Sequence, residues 1–310
     1  MTAPRVTVLM AAYNAERFLA EAVASVLGQS FQDFEFLIVD DGSTDGTPTM
    51  LRALDDPRVR ILTNPANVGL AGSLNRGLAE ARGEVLARMD ADDLSAPRRL
   101  ELQLAHLDAH GDVGLLGTAW VSVDDRGREV ARERAYSGWD AVHFFCGASA
   151  MVRRSCLDRV GGYRGALKYA EDYDLYLRLR EICGVAGLDE TLYQVRIHPA
   201  SVSRANRGEQ ELDASLALDL AEERRRLGRD RLADASPEQA REVRRAKQGL
   251  EGAALRAALA DLYLTWGDAA RSLGLHGRAV SYARASMRLR TSLHCLRLLA
   301  GSSVKAWLRS

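Results

Sequence analysis

Two short apolar-rich runs in this chain each end in a cluster of aspartates. Residues 34–39 (FEFLIV) lead into Asp40-Asp41-Gly42-Ser43, and residues 85–89 (VLARM) lead into Asp90-Ala91-Asp92-Asp93. Near-continuous apolar runs of this length read as strands covered on both faces. A third run, residues 6–10, and a fourth, residues 59–63, read the same way. Helical stripes alternate with them. Phe18, Ala22 and Val26, with Leu19, Val23 and Leu27, recur at helical spacing after Asn14, a candidate cap, and stop at Gly28. A short helix is expected near residues 48–54, and Leu70, Leu74, Leu78 and Ala81 mark another. Strands alternating with helices at short period predict a parallel α/β sheet. Such sheets bind ligands beyond the carboxyl ends of their strands, where both acidic clusters sit.

Further along, Pro97 opens a helix lined by Leu100, Leu104 and Leu107 and ended by Gly111. Residues 115–123 read as a strand, with Asp124-Asp125-Arg126-Gly127 turning into a partner. Glu171-Asp172 begins a helix running through Tyr173, Leu175, Tyr176 and Leu179. Beyond about residue 203 the chain becomes rich in Ala, Leu, Arg and Glu and helical throughout, broken at Pro237 and several glycines. The expected layout is an α/β domain over residues 1–203 and a helical region over 204–310. At 310 residues, 47% hydrophobic and 27% charged, the chain has ample core for both.

The net charge is zero, so no overall field recruits nucleic acid. After Asp268 there are eight Lys/Arg and no acid, which leaves −8 for residues 1–268. Cys146, Cys156, Cys183 and Cys295 fit no zinc or redox spacing and read as reduced thiols. The first apolar run is too short for a signal peptide. No run approaches the roughly 18 apolar residues of a membrane span. A cytoplasmic location is therefore expected.

The acids carry the chemistry. In extended backbone, side chains at i and i+2 share a face, so Asp90 and Asp92 are expected to converge. Two adjacent carboxylates repel unless a cation relieves them. Hard oxygen ligands suit Mg²⁺ or Mn²⁺, which engage one or two carboxylates plus substrate phosphates. The plainer alternative is a solvated acidic turn or a helix cap. Asp41, at the end of its strand, can accept the N3–H of a uracil ring or bind ribose hydroxyls; an Asx-type turn with Gly42 explains it equally. Glu171-Asp172 sits at a helix start, where the dipole favours anions. Asp172 is a candidate general base, against a plain acidic first turn. His198, in Val195-Arg196-Ile197-His198-Pro199, is a candidate third metal ligand or a satisfied structural histidine.

Together the stretches VTVLMAAYNAERFLAEAVASVLGQSFQDFEFLIVDDGSTDGT, NVGLAGSLNRGLAEARGEVLARMDADDLSAPRRLELQ, GGYRGALKYAEDYDLYLRL and VRIHPASVS resemble family 2 glycosyltransferases over residues 5–203. The resemblance implies a GT-A fold and inverting transfer of a sugar from a nucleotide diphosphate, UDP first, to a saccharide or lipid-linked hydroxyl in cell-surface polysaccharide synthesis. It implies that Ala11 and Tyr13 line the base and that Asp41 hydrogen-bonds it. Asp90 would face ribose and metal, Asp92 would ligate Mn²⁺ or Mg²⁺ directly, and His198 would lie near metal and diphosphate. Asp93 and Glu171 would face donor sugar or acceptor, with Asp172 as the base. Leu74 stands where many relatives carry an arginine, so the phosphate contact expected from that helix is in doubt, with Arg76 or Arg196 as its candidate substitutes.

Other classes fit less well. A dinucleotide-dependent dehydrogenase wants GxGxxG after the first strand, where AAYNAERF offers none. A nucleotidyltransferase wants an early basic, glycine-rich loop, and a catalytically dead sugar-nucleotide binder would lose the acids. Gly267, Ala270, Gly274, Gly277, Ala279 and Ala283 resemble one tetratricopeptide-like hairpin, and a single unit is no array. The basic end, with Leu293, Leu296, Leu299 and Trp307, reads either as a packing appendage or as a surface lying on anionic membrane.

Overall fold

The computed structural model describes residues 3–199, 201, 206–290 and 292–307. The apolar runs become β1 (Val6–Ala12), β2 (Phe34–Asp40), β3 (Val59–Thr63) and β4 (Val85–Asp90). Between them lie α1 (Leu19–Leu27), α2 (Thr47–Arg52) and α3 (Leu70–Glu80). Then follow β5 (Leu94–Ser95), α4 (Arg99–Ala109), β6 (Val113–Val123), β7 (Glu129–Glu133), β8 (Met151–Arg153), α5 (Arg154–Val160), α6 (Glu171–Leu179) and β9 (Gly184–Arg196).

The strands form one sheet in the order β3-β2-β1-β4-β8-β6-β9-β5, with β7 paired to β6. It is parallel from β3 through β4, as the alternation predicts. Beyond β4 it is mixed. The three-residue β8 runs antiparallel to both β4 and β6, and β9 returns parallel to β6. One face buries Val8, Met10, Phe36, Ile38, Ala87 and Met89 under Leu19, Val23 and Val26 of α1 and Leu100, Leu104 and Leu107 of α4. Each of these side chains except Ala87 contributes about 1.5–3 kcal/mol on burial. On the other face α3 lies directly on the sheet, because a Cβ at Gly77 would run into Leu9 Cδ1.

The chain divides into two compact units. The first comprises Met1–Trp139, Phe144–Gly165 and Arg178–Ser201 and holds the sheet. The second comprises Asp140–His143, Ala166–Leu177 and Val202–Ser310. The expected boundary near residue 203 lies outside the described residues. The second unit is built on α7 (Arg207–Leu227), α8 (Pro237–Gln248), α9 (Gly252–Ser272), α10 (His276–Leu289) and α11 (Leu293–Trp307). Ser236 caps α8 through a capping box with Gln239. α9 and α10 form a helical hairpin turning at Gly274, with Ala270, Ala279 and Ala283 fully buried. A Cβ at Gly267 would meet Leu298 Cδ2 at 2.7 Å, so α9 and α11 approach closely. Among the described residues no helix is long and apolar enough to cross a membrane.

Candidate active site

The parallel half of the sheet brings the ends of β1, β2 and β4, with Ala11, Asp41 and Asp90, to one edge. Ala11 lies in register with Val39 on one side and Asp90 on the other, and Ala12 with Asp40. The loops after β1 and β2 are tied to each other. Asn14, at φ +50°, accepts the Thr44 N–H (2.8 Å) and donates its own N–H to Ser43 Oγ (3.0 Å). Asn14 is therefore not the cap of α1, which starts at Leu19 behind Phe18; its partners lie on the neighbouring loop. Tyr13 beside it is half exposed, presenting an open aromatic face.

Asp41 is 3% exposed and heavily engaged. Its Oδ1 accepts Asn64 Nδ2 (2.7 Å) and the Val68 N–H (2.9 Å), and Oδ2 accepts the Gly69 N–H (2.9 Å). A carboxylate offers about four acceptor positions, so one remains, on Oδ2. Asp41 thus organises the loop from Asn64 to Gly69. Gly42, at φ +70°, makes room for that loop: a Cβ there would lie 2.7 Å from the Ala66 carbonyl carbon. Arg76 is spent on the same loop, donating to Thr63 O (2.7 Å) and Asn64 Oδ1 (2.5 Å). Leu74 is buried.

The second acidic cluster departs from expectation. β4 ends at Asp90, and the chain turns through Ala91 and Asp92 instead of continuing extended. Asp90 and Asp92 therefore do not share a strand face. Asp90 Oδ1 accepts Arg88 Nη2 (3.0 Å), whereas Asp92 Oδ2 meets His198 Nε2 at 2.9 Å. Asp93 is buried behind them. Its carboxyl is held well above the usual carboxylate range, by burial first and then by the neighbouring charges of Asp92 and Asp90. This concentration of negative charge is what a cation would relieve.

The sequence did not show which residues frame this turn. Tyr193, fully buried on β9, accepts the Asp90 N–H at its hydroxyl (3.1 Å) and hydrogen-bonds the Asp93 carboxylate. Arg196, which was a candidate for phosphate, is buried and committed elsewhere. Its N–H donates to Asp93 Oδ1 (2.8 Å), its Nε to the Asp92 carbonyl (3.0 Å) and its Nη2 to Glu21 Oε2 (2.8 Å). Phe18 packs under both the Arg196 guanidinium (4.6 Å) and the His198 ring (5.0 Å between centroids). The end of β9 therefore sets the Asp92-Asp93 turn and delivers His198 to it.

Among the described residues no cluster of three or more His, Cys, Asp or Glu is arranged to enclose a metal ion. Asp92 and His198 place a carboxylate and an imidazole side by side, donor types that would suit a cation completing its shell with substrate phosphates. Glu171 and Asp172 belong to the second unit, in the first turn of α6. Glu171 is buried, and Asp172, partly exposed, accepts the Tyr173 N–H at Oδ1 (2.7 Å).

The profile described as Glycosyl transferase family 2 matches residues 7–170. EpsE of Bacillus subtilis (strain 168), named as a glycosyltransferase, is 40% identical over 204 residues, 62% of this chain and 73% of its own. The succinoglycan biosynthesis protein ExoO of Rhizobium meliloti is 30% identical over 236 residues, 70% of this chain and 68% of its own. Among solved structures, S. aureus TarS in complex with UDP-GlcNAc superposes with a TM-score of 0.61 at 18% identity, covering 98% of this chain and 91% of that one. The mannosyltransferase PcManGT from Pyrobaculum calidifontis, in complex with GDP-Man and Mn²⁺, gives 0.58 at 21% identity, covering 99% and 81%. At these identities the structural likeness is one of fold.

Proposed function

The chain belongs to glycosyltransferase family 2, with a GT-A fold, and on that premise we propose that it is a divalent-metal-dependent, inverting enzyme acting on a nucleotide-diphosphate sugar. UDP is the first nucleotide to test. The acceptor is a hydroxyl of a saccharide or lipid-linked saccharide, in the synthesis of a cell-surface polysaccharide. The observation that carries the reading is the meeting of Asp92 and His198 at 2.9 Å, at the sheet edge where Ala11 and the Asp41-ordered loop also lie. That TarS is solved with UDP-GlcNAc and PcManGT with GDP-Man and Mn²⁺ supports the choice of donor class and metal.

In this account Ala11 and Tyr13 line the nucleobase, and Asp41 meets it through the acceptor position left on Oδ2. Asp92 and His198 would hold Mn²⁺ or Mg²⁺, with Asp90 toward ribose and metal. Bound there, the ion supplies Lewis-acid neutralisation of the departing diphosphate. Asp93 and Glu171, both buried, are assigned to the donor-sugar or acceptor side. Asp172 takes the acceptor proton as that oxygen bonds to the anomeric carbon; the bond from the anomeric carbon to the diphosphate breaks, and the electron pair leaves with the nucleotide. Asp172→Asn is expected to keep nucleotide-diphosphate binding by calorimetry while transfer falls by orders of magnitude. Turnover near the wild-type rate rules Asp172 out as the base.

The enzyme is proposed to work on the cytoplasmic side, with peripheral membrane contact through its basic end. Arg284, Arg288 and Arg297 are exposed on α10 and α11, as is Leu296, whereas Leu298 packs inward. The side chains of Leu293 and Trp307 lie outside the described residues. Reversing the three arginines to glutamate should abolish cosedimentation with anionic vesicles; undiminished cosedimentation contradicts the contact.

A further inference from the structure

Glu171 and Asp172 are held from both sides by the helices of the second unit. On the upstream side, the Tyr169 N–H donates to Asp213 Oδ2 of α7 (3.1 Å). Asp213 is 1% exposed, and Arg244 of α8 grips the same carboxylate, Nε to Oδ1 at 2.9 Å and Nη2 to Oδ2 at 2.9 Å. Arg244 also reaches Glu209 Oε2 (3.1 Å), and its guanidinium lies 5.5 Å from the centre of the Tyr169 ring. Ala170 is buried against Ala214 of α7 and Leu262 of α9. On the downstream side, the Tyr173 hydroxyl accepts Trp266 Nε1–H of α9 (3.2 Å) and bonds His143 Nδ1.

We propose that the helical unit is a positioning device for the acceptor-side base, acting through Asp213–Arg244 before Asp172 and Trp266–Tyr173 after it. A buried ion pair contributes little net stability, because desolvation offsets much of the attraction. Asp213, however, does a second job: it fixes a backbone N–H three residues ahead of Asp172. A single indole N–H likewise fixes the residue just after it. Misplacing a catalytic group by about 1 Å can cost about 10²-fold in rate, so two such restraints have kinetic consequences beyond their stability. The proposal rests on Asp172 being the base, and the experiment separates the two claims.

Trp266→Phe keeps the aromatic ring and removes the donor; Asp213→Asn removes the charge that holds Arg244. Full-length wild type, both variants and Asp172→Asn are compared at a temperature well below unfolding. The first readout is hydrogen–deuterium exchange of peptides covering residues 166–174. The second is release of nucleotide diphosphate with Mn²⁺ and water as acceptor, using whichever of UDP-glucose, UDP-GlcNAc, UDP-galactose and GDP-mannose the wild type hydrolyses fastest. We expect faster exchange in that segment alone, a kcat lowered about tenfold or more, and a donor KM within twofold of wild type. Wild-type exchange in both variants overturns the proposal, as does an unchanged kcat or a loss confined to KM. Wild-type hydrolysis by Asp172→Asn removes the base assignment while leaving the exchange result to stand. A dead Asp172→Asn beside fully active Trp266→Phe and Asp213→Asn removes the positioning claim alone.

Discussion

Asp41→Asn probes the least expected feature of the site, a carboxylate whose acceptor capacity is mostly used inside the protein. The amide oxygen can keep the two donors now on Oδ1, Asn64 Nδ2 and the Val68 N–H, but the amide NH₂ then faces the Gly69 N–H. The part-buried Gly69 N–H keeps only its longer bond, to Asn67 Oδ1 (3.1 Å), a loss of about 1 kcal/mol, and two charge-assisted bonds become neutral ones, at about 1 kcal/mol each. Relief of the desolvation of a buried charge returns part of this. The net expectation is a destabilisation of about 1–3 kcal/mol, or on the order of 3–10 °C in melting temperature for a unit of this size. Urea unfolding followed by circular dichroism should show a lower midpoint with an unchanged slope. Calorimetry on the folded variant should show weaker UDP binding, because the loop from Asn64 to Gly69 is displaced and the free position on Oδ2 is lost. A wild-type midpoint together with wild-type UDP affinity would refute the reasoning: the three bonds would then not be ordering the loop.

Two further outcomes follow from the same geometry. Gly42→Ala must place a side chain at φ +70° and within 2.7–2.9 Å of the Ala66 and Asn67 backbone, so its cost should exceed the roughly 1–2 kcal/mol of the left-handed conformation alone; a melting temperature within 2 °C of wild type would contradict this. Glu35 is buried on β2. Burial pushes its carboxyl up, but bonds from Arg60, Thr7 and the Arg82 N–H outweigh this and hold it below its ordinary value. A lowered pKa contributes stability that is present above the unfolded value and is lost as pH falls through the folded one. The stability gap between wild type and Glu35→Gln should therefore shrink as pH is taken from 6 to 3; a constant gap would show that the carboxylate contributes nothing by its charge.

What was legible in the sequence was whatever is written locally. β1, β2, β4 and β6 showed as apolar runs, α3 as a stripe at helical spacing, and the two acidic clusters as strand ends. What was hidden depends on partners far along the chain. Asn14 looked like a cap because caps are read from the next few residues, but its hydrogen-bond partner Thr44 lies thirty positions away. Asp41 looked like a free ligand because two of its three donors are backbone N–H groups, which leave no mark in a sequence. Tyr193 and Arg196 meet the Asp90–Asp93 turn across a separation of 103 residues, over which no local pattern shows the pairing. β8 and β5, at three and two residues, are too short for periodicity to reveal, so the mixed half of the sheet was unreadable. The reading of Asp90 and Asp92 as sharing one strand face failed because it assumed extended backbone one residue past the end of β4.

The central claim is that Asp92 and His198 together form the seat of a cation that binds with a nucleotide diphosphate. Its most direct test is calorimetric titration of UDP and GDP into wild type and Asp92→Ala, each with Mn²⁺ and with EDTA. For the nucleotide that binds better, Mn²⁺ should tighten wild-type binding at least tenfold, and that gain should vanish in Asp92→Ala. Equal wild-type affinity in Mn²⁺ and in EDTA, or a full Mn²⁺ gain in Asp92→Ala, would contradict it.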